Sequence, residues 1–244
     1  VKFSIEEISL QVIFYTAMEN VKNKIASFLY QLGISADFLT YAGLFCALGS
    51  GVLIFRGNFF WAGSVLLLAG GLDLLDGAVA RQSKTTSPFG GILDSSLDRY
   101  GDGFIFGGIS FYCLENYYLG YSLLTASALL GSFLISYVRA RAECVVKTCR
   151  VGFWERGERL VYIALGLLLG NLPLVLWILA FGSHLTVLHR LMYARRISAG
   201  HVDGRAKFLG ITPNFLSLST RTEIPYLVKC AFLLFLVLFF RVSF

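Results

Sequence analysis

Between residues 38 and 194, apolar side chains come in runs that follow one another almost without a break, near 38–56, 58–80, 90–114, 118–141, 159–171 and 172–194. A helix that crosses a bilayer needs roughly 20 mostly apolar residues. The fifth run is short and its link to the sixth, "GNLP" at 170–173, is tight, so its start is expected earlier, within 153–158. Composition agrees. The chain is 56% hydrophobic and only 15% charged, where a soluble domain carries about 25% charged residues. The expected fold is an all-α polytopic membrane protein with six transmembrane helices.

Residues 4–33 precede the spans. They mix charge with apolar residues near a 3.6 period, and Phe14, Met18, Val21, Ile25, Phe28 and Leu32 fall on or near one stripe. That pattern predicts an amphipathic helix lying in the membrane interface. Residues 1–36 lack an A-x-A cleavage site, so no secretory signal is expected there. The expected organisation is a juxtamembrane segment over 1–36, a six-helix body over 37–198 and a tail over 199–244. The tail reads as a polar linker followed by "IPYLVKCAFLLFLVLFF", which is either a seventh span or an interfacial segment.

Lysines and arginines fix the orientation. With the N-terminus inside, the inner loops hold Lys22, Lys24, Arg81, Arg139, Arg141, Arg156, Arg159, Arg190, Arg195, Arg196 and others, while the outer loops hold only Arg56. The positive-inside rule then places both ends of the body in the cytoplasm. The same loops account for the net charge of +6, so no nucleic-acid partner is expected. The five cysteines are scattered, without a C-x2-C pair. They read as small apolar residues, neither thiolate ligands nor disulfides.

The acids are placed less evenly. Of fifteen acidic residues, five lie in "GLDLLDGAVARQSKTTSPFGGILDSSLDRYGDG": Asp73, Asp76, Asp94, Asp98 and Asp102. Asp73 and Asp76 share one helix face, and Asp94 and Asp98 share another. The short linker with Pro88 makes the two helices an antiparallel hairpin, so four carboxylates converge near one membrane surface. Uncompensated, that much charge is prohibitively costly there. Hard divalent cations with oxygen ligands remove the cost, and four carboxylates suit one or two Mg2+ or Mn2+ ions. A pair of ions about 4 Å apart serves phosphoryl transfer. Gly77, Gly90 and Gly91 clear side chains from beside the acids, and Arg81, one turn beyond Gly77, is placed to pair with phosphate oxygens. Ion pairs with Arg81, Lys84 and Arg99, or helix capping, explain a single boundary aspartate better than four at paired helical spacing. Asp102 extends the face as a supporting or packing residue.

The stretch resembles the signature of the CDP-alcohol phosphotransferase family, D-x2-D-G-x2-A-R-x8-G-x3-D-x3-D. Asp73, Asp76, Gly77, Ala80, Arg81, Gly90, Asp94 and Asp98 fill it without mismatch. The resemblance covers about residues 34–198. It implies transfer of a phosphate-linked lipid group from a CDP-lipid to an alcohol, with release of CMP. It implies that Asp73, Asp76 and Asp94 hold two metal ions and that Asp98 shares one and acts as general base. Asp73, Gly77, Ala80, Arg81 and Gly90 would line the CDP-lipid site. Family members are commonly homodimers, so a homodimer is expected, and the expected location is the cytoplasmic membrane of a prokaryote with the active site facing the cytoplasm.

The signature fixes the donor and leaves the acceptor open. Arg139 and Arg141 in "SYVRARAE", Arg156 and Arg159 in "GFWERGERL", and Arg195 and Arg196 after "HRLMY" form a basic group on the same side as the acids. Such a group suits an acceptor that is itself a phosphate monoester. The first two segments are similar to "SY-x-[KR]-A-R-A-E" and "E-R-x-E-R-L" of the subgroup that makes phosphatidylinositol phosphate, which implies inositol 1-phosphate as acceptor. Asp37, in "SADFLT", either binds inositol hydroxyls or caps the first span. Glycerol 3-phosphate is the rival acceptor. A non-enzymatic cation transporter is the rival of another class, opposed by acids that sit at one face without a second cluster to form an exit path.

Overall fold

A computed structural model describes residues 5–83, 85–146, 149 and 151–198, the side chains of 5–15, 17 and 18 aside. The described residues fold into seven α-helices: α1 Ile5–Gln31, α2 Ala36–Phe55, α3 Phe59–Gln82, α4 Pro88–Glu115, α5 Leu119–Glu143, α6 Arg156–Leu168 and α7 Leu172–Ser198. The six apolar runs correspond to α2–α7, and the amphipathic stretch to α1. The C-terminal apolar segment within 199–244 lies outside the described residues.

Four helices, α2, α3, α5 and α7, are long and apolar enough to cross a membrane. The other two runs fall short for separate reasons. Helix α4 has the length, at 28 residues, but its aspartates raise its charge. Helix α6 has 13 residues, a rise of about 20 Å against a hydrocarbon core of about 30 Å. It nevertheless begins within the window 153–158 that the tight "GNLP" turn required. That turn is made by Gly170, at φ 67°, and by the Asn171 amide, which donates to Gly166 O at 2.8 Å.

Local chemistry sets the helix starts that matter for function. Ser35 caps α2 by accepting from the Phe38 amide at 3.2 Å. Ser87 caps α4 by accepting from the Gly90 amide at 2.9 Å, with Pro88 in the first turn. Glu155 and Glu158 form a reciprocal capping box at the start of α6. A serine, not Asp37, therefore caps the first span.

Packing centres on α2, which lies against both α3 and α4; α5 packs on α7, and α3 on α6. The α2–α4 crossing is closest at two glycines. A Cβ on Gly108 would stand 2.3 Å from Gly51 O, and one on Gly51 would stand 2.4 Å from Phe104 O. Without a hydrophobic drive between helices in lipid, such small-residue contacts are a main source of association.

Helix α1 docks on the end of α3. Ala26 is buried with Leu29 against Leu39, Ala78 and Val79. Gln82 Nε2 donates to Asn23 O at 3.0 Å and Ser27 Oγ at 2.9 Å. The stripe read from the sequence faces away from this contact, with Val21, Ile25, Phe28 and Leu32 all exposed. Of the cysteines, Cys113 and Cys149 are buried as expected, whereas Cys144 is exposed just beyond α5; all four described cysteines are free thiols. Cys230 lies outside the described residues.

The crossing makes a sharp test. Gly108→Ala is expected to destabilise the protein by about 1–3 kcal/mol through overpacking. Gly107→Ala, whose added Cβ meets nothing within 4 Å, is expected to be neutral. Melting temperatures of the two variants in one detergent decide it, and equal values would remove the crossing from the account of stability.

Candidate active site

Asp73 and Asp76 lie in the last turns of α3, and Asp94, Asp98 and Asp102 in the first half of α4. The short 83–87 connection and the Ser87 cap turn the chain into α4, and both helices pack on α2 rather than along each other as the hairpin reading expected, so their acids meet only near the connected ends. One carboxylate oxygen from each of Asp73, Asp76 and Asp94 lies within 4.8 Å of the others. Thr40 Oγ1, on α2, donates to Asp76 Oδ2 at 2.8 Å. Asp94 Oδ1 is buried and has no hydrogen-bond partner. Three converging carboxylates with an unsatisfied buried oxygen repel one another, and hard oxygen donors of this kind are what Mg2+ and Mn2+ take. The residues present fit a divalent cation.

The sequence groups four carboxylates; the structure groups three. Asp98 Oδ1 pairs instead with Arg156 Nη1 at 2.8 Å, and the same nitrogen donates to Asp73 Oδ1 at 2.8 Å. Arg156, expected among the acceptor arginines, thus stands against the acids. Its Nε lies 3.5 Å from Asp102 Oδ1. Asp102 is itself buried, accepting from Ser132 Oγ at 2.6 Å and pairing with Arg159 Nη2 at 3.4 Å. Of the partners the ion-pair alternative named, Lys84 lies outside the described residues. Arg99 reaches Asp98 only at 3.9 Å, and among the described residues Arg81 makes no ion pair with the acids. Arg81 Nη1 folds over Gly77, where a Cβ would meet it at 3.4 Å.

The remaining assigned residues divide. Ala80 O accepts from the Thr85 amide at 3.1 Å, which shapes the turn after α3. Gly90 supports the Ser87 cap, since a Cβ there would stand 3.1 Å from Ser87 Oγ. Asp37 is exposed in the first turn of α2. Arg139 Nε donates to Glu143 Oε1 at 3.1 Å, and that oxygen also accepts from the Cys149 amide at 3.3 Å. Arg141, Arg195 and Arg196 are exposed, and among the described residues no ion pair joins them to the acids. Arg190 is buried, donating to Val151 O at 2.7 Å and Ile135 O at 2.6 Å. It pins the α5–α6 loop and is structural.

Asp73, Asp76, Asp98 and Arg156 line a small cavity of about 20 Å3 with Thr40 and Gly101. That is room for one water-sized group. Two contributors were missed in the sequence. Thr40 ends the "SADFLT" segment, which drew notice only for Asp37. Ser132 sits in an apolar run with no motif around it.

A family model for CDP-alcohol phosphatidyltransferase matches residues 33–192. The chain is 38% identical over 192 residues to a phosphatidylinositol phosphate synthase of Streptomyces avermitilis, covering 71% of this chain and 78% of that protein. It is 36% identical over 170 residues to an archaetidylinositol phosphate synthase of Methanothermobacter thermautotrophicus, covering 67% and 84%. Two crystal structures of the Mycobacterium tuberculosis phosphatidylinositol phosphate synthase resemble the fold. The form with CDP-DAG bound aligns with a TM-score of 0.67 at 29% identity, over 76% of this chain and 98% of that one. The form with manganese and citrate aligns with a TM-score of 0.66 at 29% identity, over 75% and 92%.

The Thr40 contact can be tested apart from turnover. Partners that orient a ligating carboxylate are each worth about 10–100-fold in metal affinity. Thr40→Val is therefore expected to weaken Mn2+ binding about tenfold, followed by the electron paramagnetic resonance signal of free Mn2+. Unchanged affinity would mean that Thr40 serves helix packing only.

Proposed function

The chain belongs to the CDP-alcohol phosphatidyltransferase family, and on that premise we propose that it transfers the phosphatidyl group of CDP-diacylglycerol, or of its archaeal-lipid counterpart, to inositol 1-phosphate. The products are phosphatidylinositol phosphate and CMP. The observation that carries the reading is the convergence of Asp73, Asp76 and Asp94 beside Asp98 and Arg156, on a chain 38% identical over 192 residues to a phosphatidylinositol phosphate synthase. Family membership removes the transporter alternative.

Asp73, Asp76 and Asp94 would hold the divalent metal, with Asp98 sharing a second ion. Bound there, the metal supplies charge neutralisation for the phosphate oxygens and the departing CMP. Asp98 takes the proton of the acceptor hydroxyl as the new O–P bond forms and the P–O bond to CMP breaks. Gly77, Ala80, Arg81 and Gly90 line the cytidine diphosphate side, where the bare backbone lets the donor approach. Arg156 and Arg159, supported by Arg139, Arg141, Arg195, Arg196 and Asp37, serve the acceptor. Guanidinium forks match a phosphate monoester in geometry and charge.

The chain is an integral membrane protein. The proposed topology has six spans, α2–α7, with the acids at the cytoplasmic face of a prokaryotic membrane and α1 in the interface. The catalytic unit is 37–198, and the working form is a homodimer. Arginines and lysines crowd the loops on the side of the acids, as the positive-inside rule requires of a cytoplasmic face.

CMP release by purified protein with Mg2+ and CDP-diacylglycerol tests the reading, with inositol 1-phosphate, glycerol 3-phosphate, free inositol and serine offered in parallel. Release with inositol 1-phosphate alone is expected. Release with glycerol 3-phosphate alone would keep the chemistry and replace the acceptor. Asp98→Asn is expected to lower turnover by at least about 100-fold, within the range of general-base catalysis, while Mn2+ and donor binding persist. Normal turnover in that variant would remove the base assignment.

A further inference from the structure

Asp102 is the one carboxylate of the five that the family signature leaves out, yet it is buried, at 4% exposure, and engaged by three side chains. Its place follows from helix geometry. Each step of four residues along an α-helix overshoots a full turn by about 40°, so from Asp94 to Asp102 the carboxylate swings about 80° around α4. Asp94 faces the α3 acids. Asp102 faces α5 and α6, where Ser132 Oγ donates to its Oδ2 at 2.6 Å and Arg159 Nη2 stands 3.4 Å from the same oxygen. Its other oxygen lies 3.5 Å from Arg156 Nε. Gly101 completes the berth, since a Cβ there would stand 3.4 Å from Arg156 Nη2. One carboxylate thus fixes both arginines of "ERGERL". Arg156 reaches forward to Asp73 and Asp98 at 2.8 Å, and Arg159 is buried behind it at 2% exposure.

We infer that Asp102 is a positioning residue for the acceptor's phosphate group. It aims the Arg156 and Arg159 guanidiniums, and Ser132 holds its carboxylate in the orientation that does so. A planar fork binds a phosphate in two-point geometry only if its plane is fixed, and a buried carboxylate held by Ser132 and set between the two guanidiniums restrains it. Among the described residues no hydrogen bond or ion pair joins Asp102 to Asp73, Asp76 or Asp94, and it reaches Asp73 only through Arg156, so its loss bears first on the arginines and only at second hand on the metal and donor side. The inference rests on the acceptor's being a phosphate monoester.

The test measures the KM of acceptor and of CDP-diacylglycerol, kcat, and Mn2+ affinity in detergent-solubilised protein. Asp102→Asn keeps the size and the Ser132 contact and removes the charge. It is expected to raise the acceptor KM about tenfold and to move the donor KM and Mn2+ affinity by less than about twofold, in line with what orienting partners contribute. Ser132→Ala is the gentler variant and decides the matter if Asp102→Asn does not fold. It is expected to raise the acceptor KM about threefold with the same selectivity. Equal rises in both KM values, or an unchanged acceptor KM, would overturn the inference and leave the proposed reaction intact. Wild-type protein that uses glycerol 3-phosphate instead would replace the acceptor and let the same comparison run with it. Wild-type protein that uses neither phosphate would overturn both.

Discussion

Carboxylates gathered at the edge of an apolar bundle must be neutralised, and this requirement organises the molecule. Water does not reach a buried acid well enough to pay for its charge, so each one needs a cation or donor brought by another helix. Thr40 on α2 serves Asp76, Arg156 at the start of α6 serves Asp73 and Asp98, and Ser132 on α5 with Arg159 on α6 serves Asp102. Three helices, α2, α5 and α6, are thereby tied to the acids of α3 and α4. The capping box that starts α6 sets Arg156 in the first turn, so a local backbone device decides where that charge lands.

The glycines make the same arrangement possible from the packing side. Gly51 and Gly108 bring α2 against α4, while Thr40, about three turns nearer the start of α2, reaches Asp76 on α3. Gly101 lets Arg156 lie on α4. A bundle held chiefly by dispersion and small-residue contacts can leave its polar end free for chemistry, because the apolar half already fixes the helix axes. The main cluster runs from Ala47 and Ile54 through Ile105, Ile109, Ile163 and Leu176, and its Ala47, Leu66, Ile105 and Leu160 form the apolar wall of the cavity that Asp73, Asp76 and Asp98 line.

Much of this was legible in the sequence because it is periodic. Apolar runs mark all six helices of the body, and the spacings pointed to converging acids, of which Asp73, Asp76 and Asp94 do converge, although α3 and α4 pack on α2 and not along each other. What escaped was pairing between distant segments. Arg156 lies 83 residues from Asp73 and Ser132 lies 30 from Asp102, and no local pattern encodes either contact. Asp98 was grouped with the other acids because spacing places it on their face; it is drawn to Arg156 because a nearby guanidinium is a stronger partner than another carboxylate. The α1 stripe was read correctly as a stripe, but its complement, Ala26 and Leu29, makes the contact with the body. A period identifies an apolar face without saying whether protein or lipid will cover it.

The acids of α4 also form a gradient with depth. From Pro88, Asp94 lies about 9 Å along the helix, Asp98 about 15 Å and Asp102 about 21 Å. Satisfaction by the chain's own residues rises in the same order. Asp94 keeps a buried oxygen with no partner, Asp98 has Arg156 and a distant Arg99, and Asp102 has both arginines and Ser132. Charge grows costlier toward the middle of a bilayer, so the deepest acid needs permanent partners. The shallowest can leave a lone pair for a cation that comes and goes with water nearby. A helix carrying three acids at four-residue spacing therefore need not give them one role. The rotation of about 40° per step turns each toward a different neighbour, and depth sets how completely that neighbour must satisfy it. As a proposed span, α4 would be held by its partners and not by its own hydropathy, and length and composition alone pass over it.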